Sequence, residues 1–177
     1  MQKLSLVLAL LLLAAVSFAS ADGKKDSTKT ELKWRTFDAG SAEARKTGKK
    51  ILLDIYTDWC VWCKRLDQNV YADPAVAGYL EKYYIPVKLN AESDAKVHYK
   101  DTSFSSSQFA QGVLQVTGYP TIYFLDANGE PINRLGGYVD AGKFLPIIRF
   151  IGEDYYKKMK WEEFLNTPAG AAGSPKK

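Results

Sequence analysis

Cys60 and Cys63 are the only two cysteines in the chain, and two residues separate them. Thiols at that spacing fall about one helical turn apart on one face, where they can close into a disulfide and reopen without rebuilding their surroundings. The chemistry on offer is dithiol–disulfide exchange: one thiolate attacks a disulfide sulfur, and the second thiol resolves the mixed disulfide. Three other uses of the pair compete. A purely structural disulfide would close a four-residue loop and contribute only about 2 kcal/mol in the chain-entropy model, a weak staple. Zinc needs four ligands, and beyond the two cysteines the chain offers His98 alone. Haem attachment needs His directly after the second cysteine, where Lys64 stands. Redox exchange is the favoured reading.

A reactive thiolate needs elements that stabilise its charge. Ile51 to Tyr56 is an apolar run interrupted by one carboxylate, Asp54, and fits a central strand buried on both faces. From Cys60 to about Tyr71 the pattern turns helical, with Leu66 and Val70 four apart. Cys60 therefore sits where strand gives way to helix, facing unpaired N–H groups and the positive end of the helix dipole.

The flanking segments complete a sheet. A helix is expected from near Ser41 to Gly48, and Asp73-Pro74 supplies an N-cap and a first-turn proline for another through Leu80. Tyr84 to Leu89 reads as a strand, with Pro86 marking a bulge or an unpaired side. Ser105 to Val116 is a weaker helix candidate. Thr121 to Leu125 and Pro131 to Leu135 form a hairpin around the turn at 127–130. Asp140 caps a helix over 141–150, and Glu153 to Leu165 reads as one more. The order predicts an α/β fold with a central mixed β-sheet flanked by helices.

The 177 residues are 46% hydrophobic and 13% aromatic, which supports one packed domain and excludes a disordered or collagen-like chain. The net charge of +4 is too small and too scattered to point to nucleic acid. Residues 1–21 read as a cleaved signal peptide: a lysine at position 3, an apolar stretch from Leu4 to Phe18, and Ala19-Ser20-Ala21 as a cleavage site. The stretch is short of the ~20 residues of a spanning helix, so membrane contact is expected only through the signal peptide. Residues 22–30 form a flexible lead-in, 31–167 the domain, and 168–177 a disordered tail. The expected location is the periplasm, since Ser174-Pro175-Lys176-Lys177 is no retention signal for the endoplasmic reticulum.

Beyond the cysteines, the chain resembles the thioredoxin superfamily over roughly residues 32–152. Ile51 to Lys64 resembles the family's strand, loop and active-site helix; Val116-Thr117-Gly118-Tyr119-Pro120-Thr121 its cis-proline loop; Tyr123 to Glu130 the following hairpin; and Gly136-Gly137-Tyr138 the glycine before the last helix. Asp58-Trp59-Cys60-Val61-Trp62-Cys63-Lys64 is most similar to the C-terminal domain of the bacterial thiol:disulfide interchange reductase and its small exported relatives.

The resemblance implies a thioredoxin-like fold and a division of labour. Cys60 matches the exposed nucleophile and Cys63 the more buried resolving thiol. Asp54 matches the internal carboxylate, whose raised pKa lets it take the Cys63 proton near neutral pH; the plainer alternative is a strand residue bonded to neighbouring hydroxyls. Pro120 matches the cis-proline, which leaves the groups of Tyr119 free for an extended substrate. Trp59 and Trp62 bracket the pair as an apolar rim, although Trp62 could equally belong to the core. Lys64 and Asp67 are candidate modulators. The family carries a longer Glu at the Asp67 position, and an ordinary exposed carboxylate is the alternative there.

Residues 90–115 form a longer segment than a minimal thioredoxin needs, and it contains His98, a candidate base or copper ligand but more simply a lone exposed loop histidine. Between the cysteines, Val61 and Trp62 supply no imidazole to stabilise a thiolate, which favours a reducing potential nearer roughly −270 mV than −120 mV. The expected function is an exported protein-disulfide reductase, with no cofactor beyond the disulfide and no metal. A membrane thiol reductant would supply it, oxidised proteins would be its substrates, and it would act as a monomer. Disulfide oxidation or isomerisation is one alternative, and a non-catalytic binding or chaperone module another.

Overall fold

The computed structural model describes residues 31–171. The signal peptide and lead-in read at 1–30, and the tail beyond 171, lie outside the described residues.

The chain opens with helix α1 (Phe37–Thr47), which begins four residues earlier than the sequence pattern indicates because the Thr36 hydroxyl accepts the Ala39 N–H and caps it. It ends at Gly48, whose φ of 73° is the left-handed conformation that suits glycine. Strand β1 (Lys50–Tyr56) follows, then α2 (Val61–Leu66), which widens into a π-helical turn over Asp67–Tyr71. Asp73 caps α3 (Pro74–Tyr83) by accepting from Ala75 and Val76 N–H. Strand β2 (Tyr84–Asn90) runs parallel to β1 without a bulge. Pro86 sits in this edge strand with its carbonyl, and so its missing N–H, turned outward to Arg35.

Residues 90–115 hold a small hairpin of β3 (Lys96–Tyr99) and β4 (Thr102–Ser105), then α4 (Ser106–Gln108), which continues as a second π-helical turn over Phe109–Val113. Strands β5 (Thr121–Leu125) and β6 (Pro131–Gly136) complete a mixed sheet of order β2-β1-β5-β6. Helix α5 (Ala141–Gly152) is capped by Asp140.

Two expectations near the C-terminus are corrected. Glu153 to Leu165 is not one helix: Asp154 adopts φ 59° and is held by Lys50 and Lys157 at 3.1 and 3.0 Å, so a 3-10 turn (Tyr155–Lys157) intervenes before α6 (Trp161–Leu165). The tail is ordered through α7 (Pro168–Ala171). Arg149 donates to the Ala169 carbonyl, and Gly170 packs where a Cβ would lie 2.1 Å from the Phe164 carbonyl oxygen.

Strand alternation divides the core. Ile51, Leu53 and Ile55 join Phe37, Val87, Phe109 and Tyr123 on the α1 and α4 side. Leu52 joins Leu66, Val70, Leu80, Phe124, Phe144 and Ile148 on the side of α2, α3 and α5. Asp54 shares the face of Leu52 and so lies beneath the helices that follow the cysteines.

Candidate functional site

Cys60 and Cys63 are joined in a disulfide with their Cα atoms 5.3 Å apart. Cys60 is the N-cap of α2, and its Sγ accepts the Cys63 backbone N–H at 3.1 Å. That bond, with the dipole of the helix behind it, stabilises negative charge on Cys60. The expected contrast between an exposed and a buried sulfur is small in the disulfide form. Cys60 is 4% and Cys63 2% exposed, because Cys60 turns inward as a cap while its neighbours Trp59, Val61 and Trp62 stand out at 62%, 61% and 50%. Trp62 is thus on the rim, not in the core.

Asp54 is fully buried, and burial pushes its carboxyl up to about 7 against the opposing pull of Lys88. The two residues are register partners on the parallel strands β1 and β2, so their side chains leave the same face. Lys88 Nζ lies 3.4 Å from Asp54 Oδ2 but makes its hydrogen bonds to Asp67, at 2.5 and 2.7 Å. It also lies over the rings of Tyr56 and Trp34, 4.9 and 5.0 Å from their centroids. Neither Asp54 oxygen receives a hydrogen bond of normal geometry, and the same holds for the buried Tyr71 hydroxyl that faces it. The Tyr71 hydroxyl is the neighbouring hydroxyl that opposes the rise in the Asp54 carboxyl, after Lys88. Asp67, at the start of the π-helical turn, borders an open cleft of about 370 Å³ with Trp34, Tyr71 and Lys88. The cleft brings solvent to the outer side of this charge cluster.

The rim is tied down from two sides. Trp59 Nε1 donates to both oxygens of Glu92 at 2.9 and 3.0 Å, and its ring meets Tyr119 edge-on at 5.9 Å. Asn90 links the Asp58 carboxylate to the Glu92 N–H. Opposite, Trp62 packs on Tyr138 at 5.5 Å with the Arg65 guanidinium 4.7 Å from its ring. The Tyr119–Pro120 peptide is cis, and Pro120 is buried. Lys64 is exposed, and its ammonium has no partner among the described residues.

His98 is remote from this group. It lies in β3 rather than in a loop, and its Nδ1 meets Asp38 Oδ2 at 2.6 Å, which ties the hairpin to α1. Among the described residues no group of three or more His, Cys, Asp or Glu is placed to hold a metal ion.

Sequence reasoning missed Lys88, Glu92 and Tyr71. A lysine inside an otherwise apolar strand was the one available signal, for Lys88; Glu92 and Tyr71 carried none.

A thioredoxin-like domain model matches residues 37–152. The chain belongs to that family, and its fold and paired cysteines are those of the thioredoxin class. It is 38% identical over 112 residues to the thiol:disulfide interchange protein DsbD of Vibrio vulnificus, and 36% identical over 109 residues to that of Salmonella typhi. These matches take in 62% and 60% of the chain but only 17% and 18% of the relatives. Among solved structures it resembles a thioredoxin-fold protein from Helicobacter pylori, with TM-score 0.57, 26% identity, and 71% of this chain and 83% of that one covered. A thioredoxin from Thermus thermophilus shares the fold, with TM-score 0.56, 23% identity, and 67% and 85% covered. No helix among the described residues is long and apolar enough to cross a membrane.

Proposed function

We propose that the protein is an exported reductase of protein disulfides. The observation that carries this reading is the pairing of a helix-capping Cys60 with a buried Asp54 whose carboxyl is pushed up to about 7. In the reduced protein the Cys60 thiolate attacks a substrate disulfide. One S–S bond forms, the substrate S–S bond breaks, and the first substrate sulfur leaves as a thiolate. Asp54 takes the proton from Cys63, whose thiolate then attacks the Cys60 sulfur and expels the second substrate thiolate. Two electrons pass to the substrate, its two sulfurs take up protons, and Cys60–Cys63 closes. A dithiol donor must reopen it.

Trp59 and Trp62 form the docking rim, Tyr119 and Pro120 hold the substrate backbone beside the sulfurs, and Lys64 and Asp67 modulate the pair. The reducing direction is supported by Val61 and Trp62, neither of which offers an imidazole to the Cys60 thiolate. The names of the DsbD relatives support thiol:disulfide interchange; the proposed donor is a membrane thiol reductant and the proposed acceptors are oxidised exported proteins. Export rests on residues 1–21, and the N-terminus of secreted protein should begin near Asp22.

Two measurements test the reading. Equilibration with glutathione should place the pair near roughly −270 mV, and a value near −120 mV would make it an oxidant. A Cys63→Ser protein should accumulate substrates linked to Cys60. Full disulfide reductase activity in Cys60→Ser would leave only a binding role for the site.

A further inference from the structure

Beside the cis-proline loop lies a second concavity that the exchange chemistry does not use. It has a volume of about 430 Å³ and is lined by Thr117, Gly118, Tyr119 and Thr121 from the loop, and by Arg134, Gly136 and Gly137 from the end of β6. Arg134 is the one charged residue in this lining. Its guanidinium is exposed and makes no ion pair or hydrogen bond among the described residues; only its backbone N–H is engaged, with Asn133 Oδ1. Other cations near the sheet are committed: Arg35 to Glu43, Lys50 to Asp154 and Lys88 to Asp67.

The concavity shares Tyr119 with the sulfur site. Neither the N–H nor the C=O of Tyr119 has a partner among the described residues, whereas the Pro120 carbonyl is taken by Gly137 N–H and the Gly118 carbonyl by the Thr121 hydroxyl. The free pair is where an extended segment can add as a strand. Side chains of such a segment alternate, and the concavity that Tyr119 shares with Arg134 is within the surface it would cross. Outside that lining the charges beside Tyr119 are acidic: Glu92 holds Trp59, whose ring meets Tyr119, Asn90 links Asp58 to the Glu92 N–H, and Glu92 contributes to raising the Tyr119 hydroxyl pKa after burial.

We infer that Arg134 is a specificity residue which accepts a carboxylate side chain of the substrate segment, so that the enzyme selects disulfides with an acidic residue near the attacked cysteine. The inference deepens the reductase reading and rests on it. Arg134 touches no sulfur. It acts through binding, with its planar donor fork suited to a carboxylate and the acidic Glu92 flank rejecting the same charge beside Trp59.

The test uses disulfide-linked peptides that carry one Glu, Gln or Lys at each of the two positions before and after the cysteine. Reduction is followed with the reduced protein. One Glu position should be preferred over Gln by about fivefold in kcat/KM, carried by KM and weakened by added salt. Arg134→Gln should abolish the preference while leaving turnover of the Gln peptide within about twofold, Arg134→Lys should keep part of it, and Arg134→Glu should move it to Lys. Turnover without a Glu preference, or a preference that survives in Arg134→Gln, would overturn the role of Arg134 alone. Failure to reduce any peptide would overturn the reductase reading and this inference with it.

Discussion

Replacing Asp54 by Asn isolates the cost of keeping a carboxylate inside the core. Burial holds the folded carboxyl at about 7, above the ordinary value of 3.8. Between those values the folded protein keeps a proton that the unfolded chain has lost, so stability falls as pH rises from about 4 to about 7 and levels off above. A tenfold change in proton affinity is worth about 1.4 kcal/mol, so the penalty is roughly 2 kcal/mol near pH 5 and roughly 4 kcal/mol near pH 8. Asn removes this penalty. It also introduces a cost that does not vary with pH, about 1–3 kcal/mol, because the buried amide inherits a site in which the carboxylate oxygens have no hydrogen-bond partner of normal geometry. The difference between the two pH values cancels that second cost. Urea denaturation of the disulfide form should therefore show Asp54→Asn gaining about 2 kcal/mol relative to wild type on going from about pH 5 to about pH 8. On the proposed mechanism, in which Asp54 accepts the Cys63 proton, the same variant should resolve mixed disulfides more slowly at neutral pH. A stability difference that is the same at both pH values, or that moves the other way, would refute the buried, proton-holding carboxylate.

Three further outcomes follow from the surroundings. Lys88→Met removes the cation 3.4 Å from Asp54, so the carboxyl should move further up and the pH midpoint of the resolving step should rise by about one pH unit; an unmoved midpoint would separate Lys88 from the chemistry. Glu92→Ala frees the Trp59 indole, and KM for a protein disulfide should rise about threefold with kcat nearly unchanged, accompanied by altered tryptophan fluorescence. The reverse split, a fall in kcat alone, would contradict a role in holding the rim. His98→Ala breaks only an exposed pair with Asp38, so calorimetry should show a loss below about 1 kcal/mol and activity should be intact.

The fold was legible because its signals are local. Asp73-Pro74, Gly48 and Asp140 mark helix ends within four residues of themselves, and the apolar run of β1 needs no distant partner to read as a buried strand. The cysteine pair was legible for the same reason, since both its spacing and its cap lie within one helical turn. The partners of the site were not. Lys88 reaches Asp54 only through the β1–β2 register, and Glu92 reaches Trp59 only because the chain after β2 folds back over the helix start, 33 residues on. The break after Gly152 was hidden because Asp154 needs Lys50, more than 100 residues earlier, to hold its left-handed backbone. The burial of Cys60 escaped because motif position says which sulfur attacks but not how far its neighbours shield it.

The lopsided sharing of Lys88 accounts for an acid that can both lose and hold a proton near neutrality. Had Lys88 bonded Asp54 closely, the attraction would have kept the carboxylate ionised throughout the working range, with too low a proton affinity to take the Cys63 proton effectively. Without Lys88, burial alone would keep the group protonated, and it could accept nothing. Asp67 decides between these limits. It draws the ammonium to 2.5 and 2.7 Å on its own side, leaves it 3.4 Å from Asp54, and adds its own negative charge, which raises the Asp54 carboxyl. Asp67 stands four residues after Cys63, on the turn that continues the active-site helix. In the proposed mechanism Asp67 therefore sets, through Lys88, the proton affinity of Asp54 at the step that resolves the mixed disulfide.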